Sequence, residues 1–227
     1  MVCLIAVFWI AGNASVGGGK ALSKVWTPKL RALYHAGSRF LLDLSMDPSA
    51  HGDYGAPENV SVSVNVSANQ LEIAVVALDK TPTRLPEAAF VSFEPGTGNW
   101  SHEVLGGVVS LLRLCLVRRN LPRLRALVVM QVPAAVVPHG SSHLHAAEAM
   151  RWAGSGGGSL RVASLDAGLL CYGEPTAFPT PFAPADLSYG ASWNLWNNIW
   201  GTNYPQWYPF DPKDSNIEYR FSVKYDA

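Results

Sequence analysis

Charge is scarce in this chain of 227 residues: Asp, Glu, Lys and Arg make up 15% of it, below the quarter usual in soluble domains. Seventeen basic side chains balance seventeen acidic ones, so no net field draws the chain to nucleic acid or to an anionic membrane. Cysteine is scarce too. Cys3, Cys115 and Cys171 lie far apart and are odd in number, which excludes a disulfide framework and a zinc spacing and predicts buried thiols. No G-x-G-x-x-G follows a strand pattern, and there is no P-loop, G-x-S-x-G elbow or H-E-x-x-H. The apolar start, M-V-C-L-I-A-V-F-W-I, has signal-peptide length but no basic residue before it, and is too short to cross a bilayer.

What is present is apolar and heavily punctuated. Hydrophobic residues reach 48%, while 20 glycines and 16 prolines divide them into short runs, the composition of a β-rich fold with many turns. From Asn59, N-V-S-V-S-V-N-V-S alternates strictly and places Val60, Val62, Val64 and Val66 on one face of a strand. Gln70–Leu78 reads as its hairpin neighbour across S-A-N. Further strands are expected at Ala88–Phe93, Ser159–Asp166 and Ile217–Tyr225, the last alternating through Ile217, Tyr219, Phe221, Val223 and Tyr225. Gly19–His35 instead shows apolar residues at roughly helical spacing, interrupted by Pro28. The pattern predicts a mainly all-β chain: an apolar and helical segment over 1–50, then an antiparallel β-sandwich over 51–227.

One stretch breaks that pattern. Val104–Val137 carries Arg113, Arg118, Arg119, Arg123 and Arg125 and no acidic residue. An amphipathic basic helix would suit a membrane surface or a partner, but Pro122 interrupts it and its leucines surround the axis. The stretch reads as an insertion at about 110–135, helical if ordered, with membrane binding disfavoured. Four N-x-Ser sequons, at Asn13, Asn59, Asn65 and Asn99, point towards the secretory pathway.

Chemistry is concentrated in few places. His143 and His145 would share a strand face, yet a metal needs three or four convergent ligands, so Cys171 or Asp166 would have to join them. A structural role is the expectation for both, with no metal in this chain. Arg84 and Glu87, flanking Pro86, read as an ion pair that fixes a turn, since hydrolysis of a glycoside needs a second carboxylate. The segment Ser192–Asp211 holds Trp193, Trp196, Trp200 and Trp207 among four asparagines. In an extended chain Trp193, Leu195, Asn197 and Ile199 share one face, and Asn194, Trp196, Asn198 and Trp200 the other. The first face suits a core; rings beside amides suit a pyranose. With the bend at Gly201, the set for carbohydrate contact is Trp196, Asn198, Trp200, Asn203 and Trp207.

Four stretches, in order, carry a family resemblance: Asp79–Pro95 (D-K-T-P-T-R-L-P-E-A-A-F-V-S-F-E-P), Gly140–Ala146 (G-S-S-H-L-H-A), Ser164–Pro175 (S-L-D-A-G-L-L-C-Y-G-E-P) and Asn194–Trp207 (N-L-W-N-N-I-W-G-T-N-Y-P-Q-W). Together they resemble the C-terminal part of a domain-of-unknown-function family related to the family-38 glycoside hydrolases, the α-mannosidase superfamily. The resemblance runs from about Gly52 to Val223 and leaves out the arginine-rich stretch. It implies a β-sandwich that follows a catalytic (β/α) barrel, with an Asp nucleophile and a zinc ion held by Asp and His residues of that barrel. No residue here matches that apparatus, so no catalytic or metal role carries over, and zinc is expected only in the barrel. Arg84, Glu87, His143 and His145 fall in the shared motifs as structural residues. The implied function is a non-catalytic portion that supports the barrel and contacts carbohydrate. A stand-alone carbohydrate-binding module is the alternative, as is an interaction or membrane-surface protein acting through the arginine-rich stretch.

Overall fold

The computed structural model describes residues 4–13, 22–83, 87–104, 107–109, 131–132, 144–175, 187–198, 211 and 214–226. Its first strands are β1 (Leu4–Asn13), β2 (Leu22–Trp26), β3 (Lys29–Ala36) and β4 (Arg39–Ser45), followed by a helix, α1 (Pro48–Tyr54). The hairpin β5 (Asn59–Ser67) and β6 (Gln70–Leu78) comes next, then β7 (Glu87–Glu94), β8 (Gly98–Val104), β9 (Gly107–Val109) and β10 (Gln131–Val132). The last strands are β11 (Leu144–Ala146), β12 (Ala149–Gly154), β13 (Ser159–Ser164), β14 (Leu169–Tyr172), β15 (Ala191–Asn198) and β16 (Ile217–Asp226).

These strands form two antiparallel sheets. One runs β11-β14-β15-β7-β1-β2; the other runs β10-β8-β12-β13-β16-β6-β5-β4-β3, with β9 also on β8. Ala89, Val91 and Phe93 of β7 and Trp193 and Trp196 of β15 meet Val60, Val62, Ile73, Val75, Val162 and Phe221 of the larger sheet in one buried core. The chain is thus an all-β sandwich. Alternation worked where one face is solvated: Val60 and Val62 are buried and Val64 packs against the core, while Val66 is exposed at the hairpin end. In β16 the whole series Ile217, Tyr219, Phe221, Val223 and Tyr225 joins or packs against the core. Strand β7 is buried on both faces, which is why it reads as a near-continuous apolar run.

The helix expected over Gly19–His35 is corrected by the structure, which places β2 and β3 there. Leu30, Leu33 and Tyr34 stay more than half exposed, so their spacing does not record a buried stripe. Pairing with β4 satisfies the backbone instead, with Pro28 between the two strands. The helix that does form is the turn-rich D-P-S-A-H-G-D-Y. Asp47 accepts from Ser49 N at 2.9 Å, Pro48 stands at the first helical position, and Gly55 closes the end at φ 68°. Leu4–Asn13, apolar enough for a signal sequence, is a strand between β7 and β2. No helix among the described residues is long and apolar enough to cross a membrane. The arginine-rich stretch falls almost wholly outside the described residues.

Candidate functional site

Two glycines make room for a tryptophan at one end of the sandwich. Gly98 begins β8 and Gly154 ends β12, and they face each other in register on the inner row that also holds Trp100 and Trp152. A Cβ on Gly98 would lie 2.2 Å from Trp152 Nε1, and one on Gly154 would lie 2.5 Å from the far edge of the same indole. The indole therefore lies across both glycines, and its Nε1 donates to Gly96 O at 3.1 Å. No other residue type leaves it that room. Beside this indole a cleft of about 820 Å³ opens between the sheets, lined by Trp152 and Gly154 but not by Gly98. Phe93, Trp152, Leu160 and Tyr225 form its apolar wall, and Thr97, Ser155 and Asp226 supply polar groups. A mostly apolar concavity with a few oriented polar groups is the usual form of a small-molecule site. Gly154, Ser155, Gly156 and Gly158, of the turn between β12 and β13, form part of its rim.

The aromatic segment is arranged differently from the extended-chain expectation. Between Asn194 and Trp196 the register of β15 against β7 shifts by a bulge at Leu195. Trp193 pairs with Val91, Trp196 with Ala89 and Asn198 with Glu87, so both tryptophans and Asn198 share the face turned to the core. Trp196 stacks on Tyr219 at 6.2 Å between ring centroids. Trp196 and Asn198 are 8% and 4% exposed. Trp200, Asn203 and Trp207 lie outside the described residues.

Glu87 has a partner that the sequence reading did not offer. Lys80 Nζ sits 2.6 Å from Glu87 Oε1, with both side chains fully buried, and Asn198 Nδ2 donates to the same oxygen at 2.5 Å. Lys80 also donates to Gly55 O and Thr81 O, which ties the end of α1 to β7 and β15. Burial pushes the Glu87 carboxyl up to about 7 against the pull of Lys80 and Asn198, and burial lowers Lys80. Arg84 lies outside the described residues.

His145 meets His102 and Tyr172 where β11, β14 and β8 approach. The rings of His102 and His145 are 5.1 Å apart, and His102 Nδ1 is 3.2 Å from the Tyr172 hydroxyl. Burial, then the neighbouring His145, lowers His102 to about 4, so it stays neutral. Sequence reasoning missed His102 because W-S-H-E alternates like any strand. His143 lies outside the described residues. Asp166, the carboxylate that a metal at the histidines would have needed, instead holds Arg220 at 2.9 Å. Among the described residues no group of three His, Cys, Asp or Glu could hold a metal ion. Cys171 is buried, as expected, and burial pushes its thiol up to about 11; Cys3 and Cys115 lie outside the described residues.

A histidine whose folded value lies below its ordinary 6.5 stabilises the fold above that pH and loses the contribution as pH falls towards 4. In urea melts this group should add an acid limb that removes as much as about 1.4 kcal/mol per unit between pH 6.5 and 4, opposed over part of that range by the raised Glu87 carboxyl, which gains stability as it takes up its proton. His102→Gln, which keeps a partner for Tyr172 without titrating, should flatten that limb. An equally steep limb in the variant would assign the acid sensitivity elsewhere.

No protein-family model matches the chain, and no curated protein matches it. Among solved structures it is similar to a candidate aldose 1-epimerase from Escherichia coli K12, with 11% identity over 88% of this chain and 68% of that one, at a TM-score of 0.47. A likeness at that level carries no argument about activity or residues.

Proposed function

We propose that this chain is a non-catalytic, carbohydrate-contacting β-sandwich, the C-terminal portion of a glycoside-hydrolase-like protein of the α-mannosidase superfamily. The observation that carries the carbohydrate reading is the cleft beside Trp152, where the half-buried Tyr225 ring stands near Thr97, Ser155 and Asp226, all exposed at its rim. Flat apolar rings suit the faces of a pyranose, and hydroxyl and carboxylate groups suit its edges. The cleft is a better contact surface than the Trp196–Asn198 face because its rim is exposed at Thr97, Ser155 and Asp226 and half-exposed at Tyr225, although its Trp152 is as buried as Trp196. Hydrolysis of a glycoside needs a pair of carboxylates, and Asp226 is the one acid among the described residues that line the cleft.

Two further features support the wider reading. The motifs that carry the resemblance meet as internal clasps: Lys80 and Glu87 of the first hold Asn198 of the fourth, and His145 of the second packs on Tyr172 of the third. Leu30 and Leu33 stand exposed on one face of the edge strand β3, in register with Leu44 and Leu42, as they would where a further domain covers them.

Calorimetric titration of the purified chain with a neutral mannohexaose tests this directly. Ser155→Trp, a bulky substitution at an exposed rim position, should weaken binding by about tenfold or more, the loss of at least one contact of about 1.4 kcal/mol. An aryl mannoside should not turn over. Binding that ignores Ser155→Trp, or turnover by the chain alone, would defeat the reading.

A further inference from the structure

Beside the cleft, on the outward face of the larger sheet, the register builds a second concavity. One cross-strand row reads Asn99, Ala153, Ser159 and Asp226; the next reads Ser101, Arg151, Arg161 and Lys224. Ala153 and Ser159 are short, so they form a floor, and three cationic side chains on adjacent strands form one wall. The depression has a volume of about 270 Å³, and Trp152, Leu160 and Asp226 line both it and the cleft. The two concavities therefore adjoin around the end of the β12–β13 hairpin.

The cationic wall is held in place from behind. Glu103, in the row beyond, accepts from Arg161 Nε and Nη2 at 2.9 and 2.7 Å and from Arg151 Nε at 2.5 Å. Both guanidiniums are thereby oriented by one carboxylate, which can neutralise only one of them. Lys224 has no ion pair among the described residues, and neither Arg151 Nη nor Arg161 Nη1 donates a hydrogen bond there. Asp226 stands across the floor, bonded to Ser159 Oγ at 3.4 Å. Glu103 and Asp226 flank the wall and Glu148 acts on Arg161 from beside it, so what marks the depression is the N–H donors of Arg151, Arg161 and Lys224 that no described group uses, not a net charge. Planar guanidinium forks beside a lysine are the donor set that recognises a carboxylate or a sulfate group.

We infer that the depression is an oxyanion subsite and that the saccharide taken by this chain is acidic, carrying a uronate carboxylate or a sulfate ester over Arg151, Arg161 and Lys224. The inference rests on the carbohydrate reading of the adjoining cleft and deepens it by naming the ligand class. A sugar ring in the cleft beside Trp152 would place a neighbouring acidic group over the Ala153–Ser159 floor. Neutral saccharides would use the cleft alone.

The test compares three hexasaccharides by calorimetry at low salt: a neutral mannohexaose, a hexauronate and a sulfated hexasaccharide. Both acidic ligands, or the one whose oxyanion is correct, should bind at least about tenfold tighter than the neutral one, with affinity falling as salt is added. Lys224→Gln should cut the acidic-to-neutral affinity ratio by about tenfold, the loss of one charge-assisted hydrogen bond. A ratio near one, or a ratio that Lys224→Gln leaves intact, overturns the inference. Neutral binding that Ser155→Trp weakens, with no acidic preference, removes the subsite and leaves the cleft standing. Acidic binding that ignores Ser155→Trp but falls with Lys224→Gln keeps the subsite and removes the cleft. Binding of none of the three overturns both.

Discussion

Replacing Lys80 by Met should destabilise the sandwich by about 3–5 kcal/mol, because it leaves Glu87 as a buried carboxylate with no cation beside it. Both side chains are fully buried, and Glu87 Oε2 has no hydrogen-bond partner among the described residues. Glu87 thus depends on Lys80 and Asn198 for its remaining compensation. The loss should also depend on pH in a defined direction. Burial already raises the carboxyl to about 7 from an ordinary 4.5. A raised acid contributes stability that is full below the unfolded value and is lost as pH rises through the folded one. Removing the ammonium raises Glu87 further, so Lys80→Met should cost more at pH 8 than at pH 5. Urea melts of the variant at the two pH values check this. The double variant Lys80→Met, Glu87→Leu should recover much of the loss, since a buried pair is often no more stabilising than apolar residues of its size. A loss that is equal at both pH values, or a double variant no better than the single, would show that the pair is not a coupled buried clasp.

Trp193→Ala should cost a similar amount, about 3–5 kcal/mol, by the cavity left in the middle of the core. Trp193 is fully buried on β15, beside Val91 in register and 6.4 Å from the Phe221 ring. Its Nε1 has no hydrogen-bond partner among the described residues. That detail separates two substitutions. Trp193→Phe keeps an aromatic ring and removes a buried donor that gains nothing, so its cost should stay within about 1–2 kcal/mol. Thermal and chemical denaturation of the two variants give the comparison. Equal losses for Ala and Phe would mean that the indole N–H makes a contact that matters.

Legibility of this fold in the sequence followed the solvent. Strands β5 and β16 have one wet face, so their side chains alternate and could be placed residue by residue. Strand β3 is wet on nearly both faces, so burial writes no period into it, and a chance helical spacing prevailed. Helix α1 carried its signals openly in Asp47, Pro48 and Gly55, but its seven residues are too few to show an apolar stripe. In β15 one extra residue at Leu195 moved Trp193 onto the face of Trp196 and Asn198, a bulge that no periodicity reports. The candidate site was the least visible part. Gly98 and Gly154 act by having no side chain, at two strand ends that only the β8–β12 register brings together. Trp152 and Tyr225 have no sequence neighbours that mark them as cleft residues. Lys80 escaped notice for a related reason: its value comes from burial opposite Glu87, and a lysine between Asp79 and Thr81 reads as surface.

The cleft is the centre of the functional account, and Trp152 reports on it directly. Its indole N–H donates to Gly96 O at the wall of the cleft, so its resonance in a ¹H–¹⁵N spectrum, assigned with Trp152→Phe, should shift progressively as an oligosaccharide is added. The indole resonance of Trp193, buried between the sheets, should stay in place. A saturable shift at Trp152 alone is the predicted result. Saccharide binding measured by calorimetry with the Trp152 resonance unmoved would contradict the account.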